Sequence, residues 1–297
     1  MDASPALTPD RVLRRLEWQV IRRLDGRLQG DYRTLIRGHG TDFRDLREYQ
    51  PGDDVRHIDW NVTARTDVLH VREYAEDREL TAWLLLDRSA SMGFGPVDRT
   101  KATLLCDFTT TIARLLIRNG NRVGAIVYDN EAFRTIPPRQ GRDQVLVLLR
   151  DLLTPAPPTG AVTDLGRLLE RAGRIVRRRS LMVVVSDFIT EPGWERPLAL
   201  LTERHEVVAV RLFDPREYDL PDAGLIAVED AETGEQLLVD SSDPEFRRRL
   251  RRAGEERAIA VRDATRRVGV DLHVISTDDD LVDAFVRIVE SRKRRRR

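Results

Sequence analysis

The sequence predicts an α/β fold: a doubly wound, mostly parallel sheet preceded by an N-terminal helix and a loop-and-short-strand extension. Three observations lead there. From residue 80 onward, short apolar runs rich in β-branched residues alternate with amphipathic helical patterns. The runs are near-continuous in hydrophobicity, as strands covered on both faces must be. A chain of 297 residues with 41% hydrophobic residues is also long enough to bury such a core.

Taken in order, "TPDRVLRRLEWQVIRRLDGRL" repeats Val12, Leu16, Val20 and Leu24 every four residues between arginines. Thr8 is its candidate N-cap and Pro9 its first helical residue, so the stretch reads as an amphipathic helix. Residues 30–79 are rich in Gly, Asp and Arg and lack a sustained period. They read as an ordered loop region with short strands.

The strand candidates that follow are "TAWLLLD", "RVGAIVYD", "SLMVVVSD", "HEVVAVRLFD" and "VDLHVISTD". Between or after them lie the helical patterns "TKATLLCDFTTTIARLLIRN", "TDLGRLLERAGRIVRR" and "DDLVDAFVRIVE". "EAFRTIPP" follows a two-residue turn and ends in a Pro pair, which suits an antiparallel edge strand. Residues 215–240 read as a hairpin insertion with "ETGE" at the turn, and "DPEFRRRLRRAGEERAIAVRDATRRVG" as a long, charge-laced helix. The expected organisation is an N-terminal helix and extension over 1–79, an α/β domain over 80–290, and a basic tail over 291–297.

The formal charge is zero, and all of the positive half except Lys101 and Lys293 is arginine. Arginine suits ion pairs with carboxylates; the neutral total argues against a general nucleic-acid binder. One cysteine, Cys106, excludes an intrachain disulfide and fits a reducing compartment. It sits in a helical pattern, where a packing role is expected rather than a catalytic thiol. No apolar run approaches the ~18 residues of a membrane helix, and the first residues lack a signal-peptide pattern. Cytoplasmic residence is the expectation.

In an open parallel sheet, ligands bind beyond the C-terminal ends of the strands. Asp87 and Asp187 end two candidate strands there. Ser89 and Ser91 alternate with Asp87 in "DRSAS", and Thr163 lies in a neighbouring loop, "PTGAVTDLGRLL". Two carboxylates and three hydroxyls make an all-oxygen set suited to a hard cation, Mg²⁺ or Mn²⁺. The alternative is that the hydroxyls merely cap the helices that follow.

D-x-S-x-S at a strand end, a later threonine and a later strand-end aspartate resemble the metal-ion-dependent adhesion site (MIDAS) of von Willebrand factor type A domains. The resemblance covers residues 80–290 and implies a von Willebrand factor A-like, Rossmann-like sheet. It also implies a metal held by Asp87, Ser89, Ser91, Thr163 and Asp187, with one position open to a partner's carboxylate. Many members carry Gly after the last aspartate; here the residue is Phe188.

Upstream, "DFRDLREYQPGDDVRHIDWNVTARTDVLHVREYAEDRE" resembles the signature of the family called domain of unknown function 58. That match, over residues 40–188, implies a partner ATPase of the MoxR group within the AAA+ class and an unknown client protein. Around Trp60, the charges of Asp53, Asp54, Arg56 and Asp59 suit either a salt-bridged brace or a docking surface.

The combined expectation is a non-enzymatic, Mg²⁺-dependent protein-binding module. The rival is a Mg²⁺-dependent phosphatase with Asp87 as nucleophile. It needs an acid two residues on, where Ser89 stands, and a lysine to hold phosphate, for which Lys101 is the candidate, although an arginine could substitute. "GFG" at residues 93–95 lacks the third glycine of a dinucleotide loop, no G-x-S-x-G elbow surrounds either serine, and the histidine spacing matches no zinc pattern. The tail suits solubility or a secondary acidic contact.

Overall fold

The computed structural model describes residues 8–28, 46–50, 55, 58–66, 68–72, 80–96, 99–129, 132–154, 163–231 and 234–295. Asp53, Asp54 and Arg56 of the signature segment and the last two residues of the basic tail lie outside them. The chain divides into two compact units, residues 37–79 and residues 1–36 with 80–297. The N-terminal helix and the 37–79 segment, grouped as 1–79 by the sequence reading, therefore fall in different units.

The helix begins as α1 (Pro9–Leu16), passes through a π turn (Glu17–Ile21) and continues as α2 (Arg22–Leu28). Thr8 is the N-cap residue; its carbonyl, rather than its hydroxyl, accepts from the Arg11 and Val12 N–H groups. Val12, Leu16, Val20 and Leu24 are all buried. A strict four-residue repeat drifts around a helix of 3.6 residues per turn, and the wider π turn absorbs part of that drift. Ion pairs flank the stripe, among them Arg15–Asp107 at 2.6 Å, Arg118–Asp25 at 2.7 Å and Arg142–Asp10 at 2.9 Å. Half-exposed pairs of this kind contribute about 0–1 kcal/mol each, so the buried stripe holds the helix.

In the smaller unit, β1 (Leu46–Glu48) pairs antiparallel with β2 (His70–Arg72). Between them in sequence lies α3 (Trp60–Thr66), with the Asp59 carboxylate accepting the Val62 N–H at 3.3 Å. Trp60 is exposed.

The larger unit is built on β3 (Thr81–Asp87), α4 (Lys101–Arg118), β4 (Arg122–Asp129), β5 (Ala132–Arg139), α5 (Arg142–Leu153) and α6 (Leu165–Ile175). The chain continues through β6 (Leu181–Ser186), α7 (Glu195–Thr202) and β7 (Glu206–Phe213) to the hairpin of β8 (Leu225–Glu229) and β9 (Gln236–Asp240). It ends with α8 (Pro244–Arg267), β10 (Asp271–Ser276) and α9 (Leu281–Arg295). Six strands form the central sheet in the order β10-β7-β6-β3-β4-β5. Five run parallel; β5 is the antiparallel edge, where Pro137 and Pro138 need donate no ladder hydrogen bond. The β4–β5 register shifts between Val123 and Ala125, and a side chain at Gly124 would meet the Ile136 carbonyl at 2.8 Å. Glycine at that bulge lets the two backbones close.

The apolar strands serve two cores because successive side chains alternate faces. Ala82, Leu84 and Leu86 of β3 join the core that includes the N-terminal helix, α4, α5 and α9. Trp83 and Leu85 join the opposite core with α6, α7 and α8. This is a mixed α/β architecture with a mostly parallel six-stranded sheet and helices on both faces, compatible with a Rossmann-like fold. No helix among the described residues is long and apolar enough to cross a membrane.

From β3 the chain moves through α4 to β4 on one side; it later returns through α6 to β6 on the other. The strand order thus reverses at the β3–β6 pair. Their C-terminal ends open the crevice where such sheets hold ligands.

Candidate functional site

At the C-terminal ends of β3 and β6, the sheet register closes at Leu86 opposite Val185, and the next residues, Asp87 and Ser186, meet through their side chains. The Asp87 carboxylate is fully buried. Its Oδ1 accepts the Ser89 N–H at 2.9 Å and its Oδ2 accepts the Ser186 hydroxyl at 2.6 Å. Burial, and then the nearby charge of Asp187, push its pKa up to about 6, against the opposing pull of the hydrogen bonds from Ser186 and Ser89. A carboxylate so placed is short of positive charge.

The D-x-S-x-S loop leaves β3 into a 3₁₀ turn, Ala90–Gly93. Ser89 and Ser91 are buried, with their hydroxyl oxygens 3.0 Å apart. Ser89 stands at the N-cap position of that turn, but its side chain makes no capping bond. The next helices have other caps: Thr100 accepts the Thr103 N–H for α4, and Asp164 accepts the Arg167 N–H for α6. Capping therefore does not account for Ser89, Ser91 or Thr163.

Thr163 is fully buried. Its carbonyl accepts the Glu191 N–H and the Thr190 hydroxyl, both at 2.9 Å, which ties its loop to the segment after β6. That segment begins with Asp187, also fully buried, whose Oδ1 accepts the Ile189 N–H at 2.9 Å. Phe188 takes the left-handed conformation at φ 59°, the region a glycine would favour. The turn is made without glycine because the Ser186 hydroxyl accepts the Phe188 N–H at 2.9 Å and the ring is buried edge-on against Trp194.

Three further groups complete the edge; of these the sequence pointed to Lys101 alone, and only as a lysine that a phosphatase could use to hold phosphate. Ser186 links the two strands by serving Asp87 and the Phe188 turn together. Lys101, the first residue of α4, is fully buried, with its Nζ 2.6 Å from Asp187 Oδ2 and also bonded to Glu217. Glu217 comes from the 3₁₀ turn Pro215–Glu217 after β7. Burial pulls the Lys101 ammonium down, but the charges and hydrogen bonds of Asp187 and Glu217 outweigh it and hold its pKa above the ordinary value. Burial pushes the Glu217 carboxyl up, although Lys101 opposes that shift. The only sequence signal for this placement was the rarity of lysine in an arginine-rich chain.

Other strand-end aspartates have structural partners. Asp129, the last residue of β4, pairs with Arg134; Asp214, just after β7, accepts from the Arg216 N–H and the Thr277 hydroxyl. Cys106 is buried in α4 with its thiol pushed up to about 12, first by burial and then by the Asp107 charge, which suits packing and not nucleophilic chemistry.

The oxygens that could hold a hard cation are those of Asp87, Ser89, Ser91, Thr163 and Asp187. Among the described residues, no three His, Cys, Asp or Glu side chains form a metal cluster; this set would rely on hydroxyls for more than half of its ligands. Its chemistry fits Mg²⁺ at Asp87, where only neutral donors meet the carboxylate. At Asp187 the fit is contested, since the Lys101 ammonium already bonds Oδ2 and the Ile189 N–H bonds Oδ1.

Curated relatives include an uncharacterized protein of Mycobacterium tuberculosis (strain ATCC 25618 / H37Rv), 41% identical over 95% of this chain and 89% of its own length. YeaD of Bacillus subtilis (strain 168), also uncharacterized, is 27% identical over 52% of this chain and 36% of its own. Among solved structures, the conserved hypothetical protein BatB of Bacteroides thetaiotaomicron is similar at TM-score 0.48 and 13% identity, over 72% of this chain and 99% of that one. The family model described as "Protein of unknown function DUF58" matches residues 45–259. The chain belongs to the DUF58 family.

Proposed function

We propose that this protein is a non-enzymatic binding module with a von Willebrand factor A-like metal site at the β3–β6 edge, capturing a carboxylate from a partner protein. Asp87, Ser89, Ser91, Thr163 and Asp187 would hold the ion, Mg²⁺ or Mn²⁺. The bound cation would supply the positive charge that a glutamate or aspartate of the partner completes. The carrying observation is Asp87: it is fully buried, held by a serine N–H and a serine hydroxyl, with its pKa raised. A buried charge is costly unless paired, and a hard cation removes that cost. The buried hydroxyls of Ser89, Ser91 and Thr163, which cap no helix, support the same reading.

The partner tested first is a MoxR-type AAA+ ATPase, the protein acting as its adaptor toward a client. The phosphatase alternative gains no support from the site: Ser89 stands where the acid is needed, and Lys101 is engaged by two carboxylates inside the fold.

The test compares wild type with Asp87→Ala. We expect Mg²⁺ to raise the melting temperature of the wild type alone, and EDTA to abolish its capture of a MoxR-type ATPase. Equal capture in EDTA, with no metal-dependent stabilisation, would overturn the proposal. Cleavage of a generic phosphate ester that Asp87→Ala abolishes would replace it with the enzymatic reading.

A further inference from the structure

We infer that Lys101 is a tethered cation which competes with the divalent ion for Asp187, so that metal binding at this edge requires Lys101 to give up that carboxylate. The inference rests on the metal reading proposed above and concerns how that site is regulated.

The placement of Lys101 is unfavourable in every respect but one. It is fully buried, and lysines are almost never so unless paired. It is also the first residue of α4, directly after the N-cap Thr100, where the helix dipole disfavours a cation. What holds it is a pair of carboxylates drawn from two separate elements: Asp187 after β6, at 2.6 Å, and Glu217 from the turn after β7. Its Nζ also lies 5.9 Å from the centre of the Phe94 ring, in the loop that follows Ser91. The ammonium therefore bonds the segment that carries Asp187 and lies near the one that carries Ser89 and Ser91.

The residue type argues the same way. Lys101 and Lys293 are the only lysines among 50 lysine and arginine residues. Elsewhere the chain meets buried or half-buried carboxylates with arginine, as at Asp129, Asp151 and Asp107. Guanidinium is a planar fork, whereas ammonium is a compact point charge. Of the side chains available, it is the nearest substitute for a monatomic cation.

Glu217 gives the exchange a physical route. Unlike Asp187, it belongs to no candidate ligand set, so it can keep Lys101 neutralised after Asp187 turns to the metal. The ion then pays only for the lost Lys101–Asp187 bond, and a partner that presents its carboxylate to the ion draws the same equilibrium toward the metal-bound state. Apparent metal affinity falls by the fraction of molecules in which Lys101 holds Asp187.

The test uses the full chain and Mg²⁺ alone, followed by thermal shift and titration calorimetry. Lys101→Met combined with Glu217→Gln removes the ammonium and one carboxylate together, which limits the unpaired buried charge. We expect this variant to bind Mg²⁺ about tenfold more tightly than wild type, or to bind it where wild type does not. Binding by wild type that the variant equals or weakens would overturn the inference and leave the metal reading standing. Absence of binding in both, up to about 10 mM Mg²⁺, would overturn the two together.

If the variant does not fold, NMR of the wild type labelled with ¹³C-lysine decides, since the chain has two lysines, Lys101 and Lys293. Mg²⁺ at the plateau of the thermal shift should move the Lys101 Cε resonance, as its bond to Asp187 is lost and that to Glu217 kept, and leave Lys293 in place. An unmoved Lys101 resonance would overturn the inference; a wild type that shows no thermal shift at all would overturn both readings.

Discussion

Phe188 and Trp194 meet edge to face, their ring centres 5.2 Å apart, and this contact anchors a turn that Phe188 makes at φ 59°. The pair explains how the chain turns sharply after Asp187 without glycine. Two opposing effects follow for substitution. Losing a buried ring costs about 3–5 kcal/mol, while a left-handed non-glycine residue carries about 1 kcal/mol of strain.

Phe188→Ala should therefore be the most damaging of the simple changes, and Phe188→Gly should be milder by about 1 kcal/mol because it removes the strain as well as the ring. Urea unfolding of the three proteins measures the order. If the glycine variant is the less stable of the two, the ring does not hold the turn against strain.

Gly254 offers a test in the opposite direction. In the exposed interior of a helix, Gly→Ala gains roughly 0.5–1 kcal/mol. Here a Cβ would overlap the Tyr218 ring, coming within 2.7 Å of its Cγ. Tyr218 accepts a hydrogen bond from Arg211, whose Nε donates to the Asp187 carbonyl at 3.3 Å. Gly254→Ala should then destabilise by about 1–3 kcal/mol, as overpacking does, and Gly254→Ala with Tyr218→Ala should recover part of that loss. A more stable Gly254→Ala would show that the ring does not pack there in solution.

His205, just before β7, is buried with neither ring nitrogen hydrogen-bonded. Burial, and then the charges of Arg204 and Arg179, lower its pKa below the ordinary value of 6.5. The folded state thus binds this proton less readily than the unfolded chain. The stability it protects is present above pH 6.5 and declines as the pH falls through the lowered value. Chemical denaturation between pH 5 and 8 should show this slope, and His205→Phe should flatten it by up to one proton, about 1.4 kcal/mol per pH unit. An identical slope in both proteins would assign the pH dependence to other groups.

Much of the fold was legible because hydrophobic period reports burial directly. The runs ending at Asp87, Asp129 and Asp187 lie in the sheet as parallel strands, and the Pro pair at 137–138 marks its antiparallel edge. The four-residue stripe from Val12 to Leu24 is buried as its spacing demands. That the stripe packs with the sheet while residues 37–79 form their own unit was not legible. An amphipathic pattern states that a face is buried and is silent about what buries it.

The same division runs through the candidate site. By itself, the sequence put Asp87 and Asp187 at the ends of strand patterns, Ser89 and Ser91 in the loop after Asp87, and Thr163 in a loop before a helical pattern. Only the tertiary structure decided what each one meets. Ser186 crosses from β6 to Asp87, Lys101 reaches Asp187 from 86 residues away, and Glu217 reaches Lys101 from 116. The physical reason is range. Period and capping act within a few residues, whereas the electrostatics of a buried carboxylate depend on whichever distant charge the packing brings within about 4 Å.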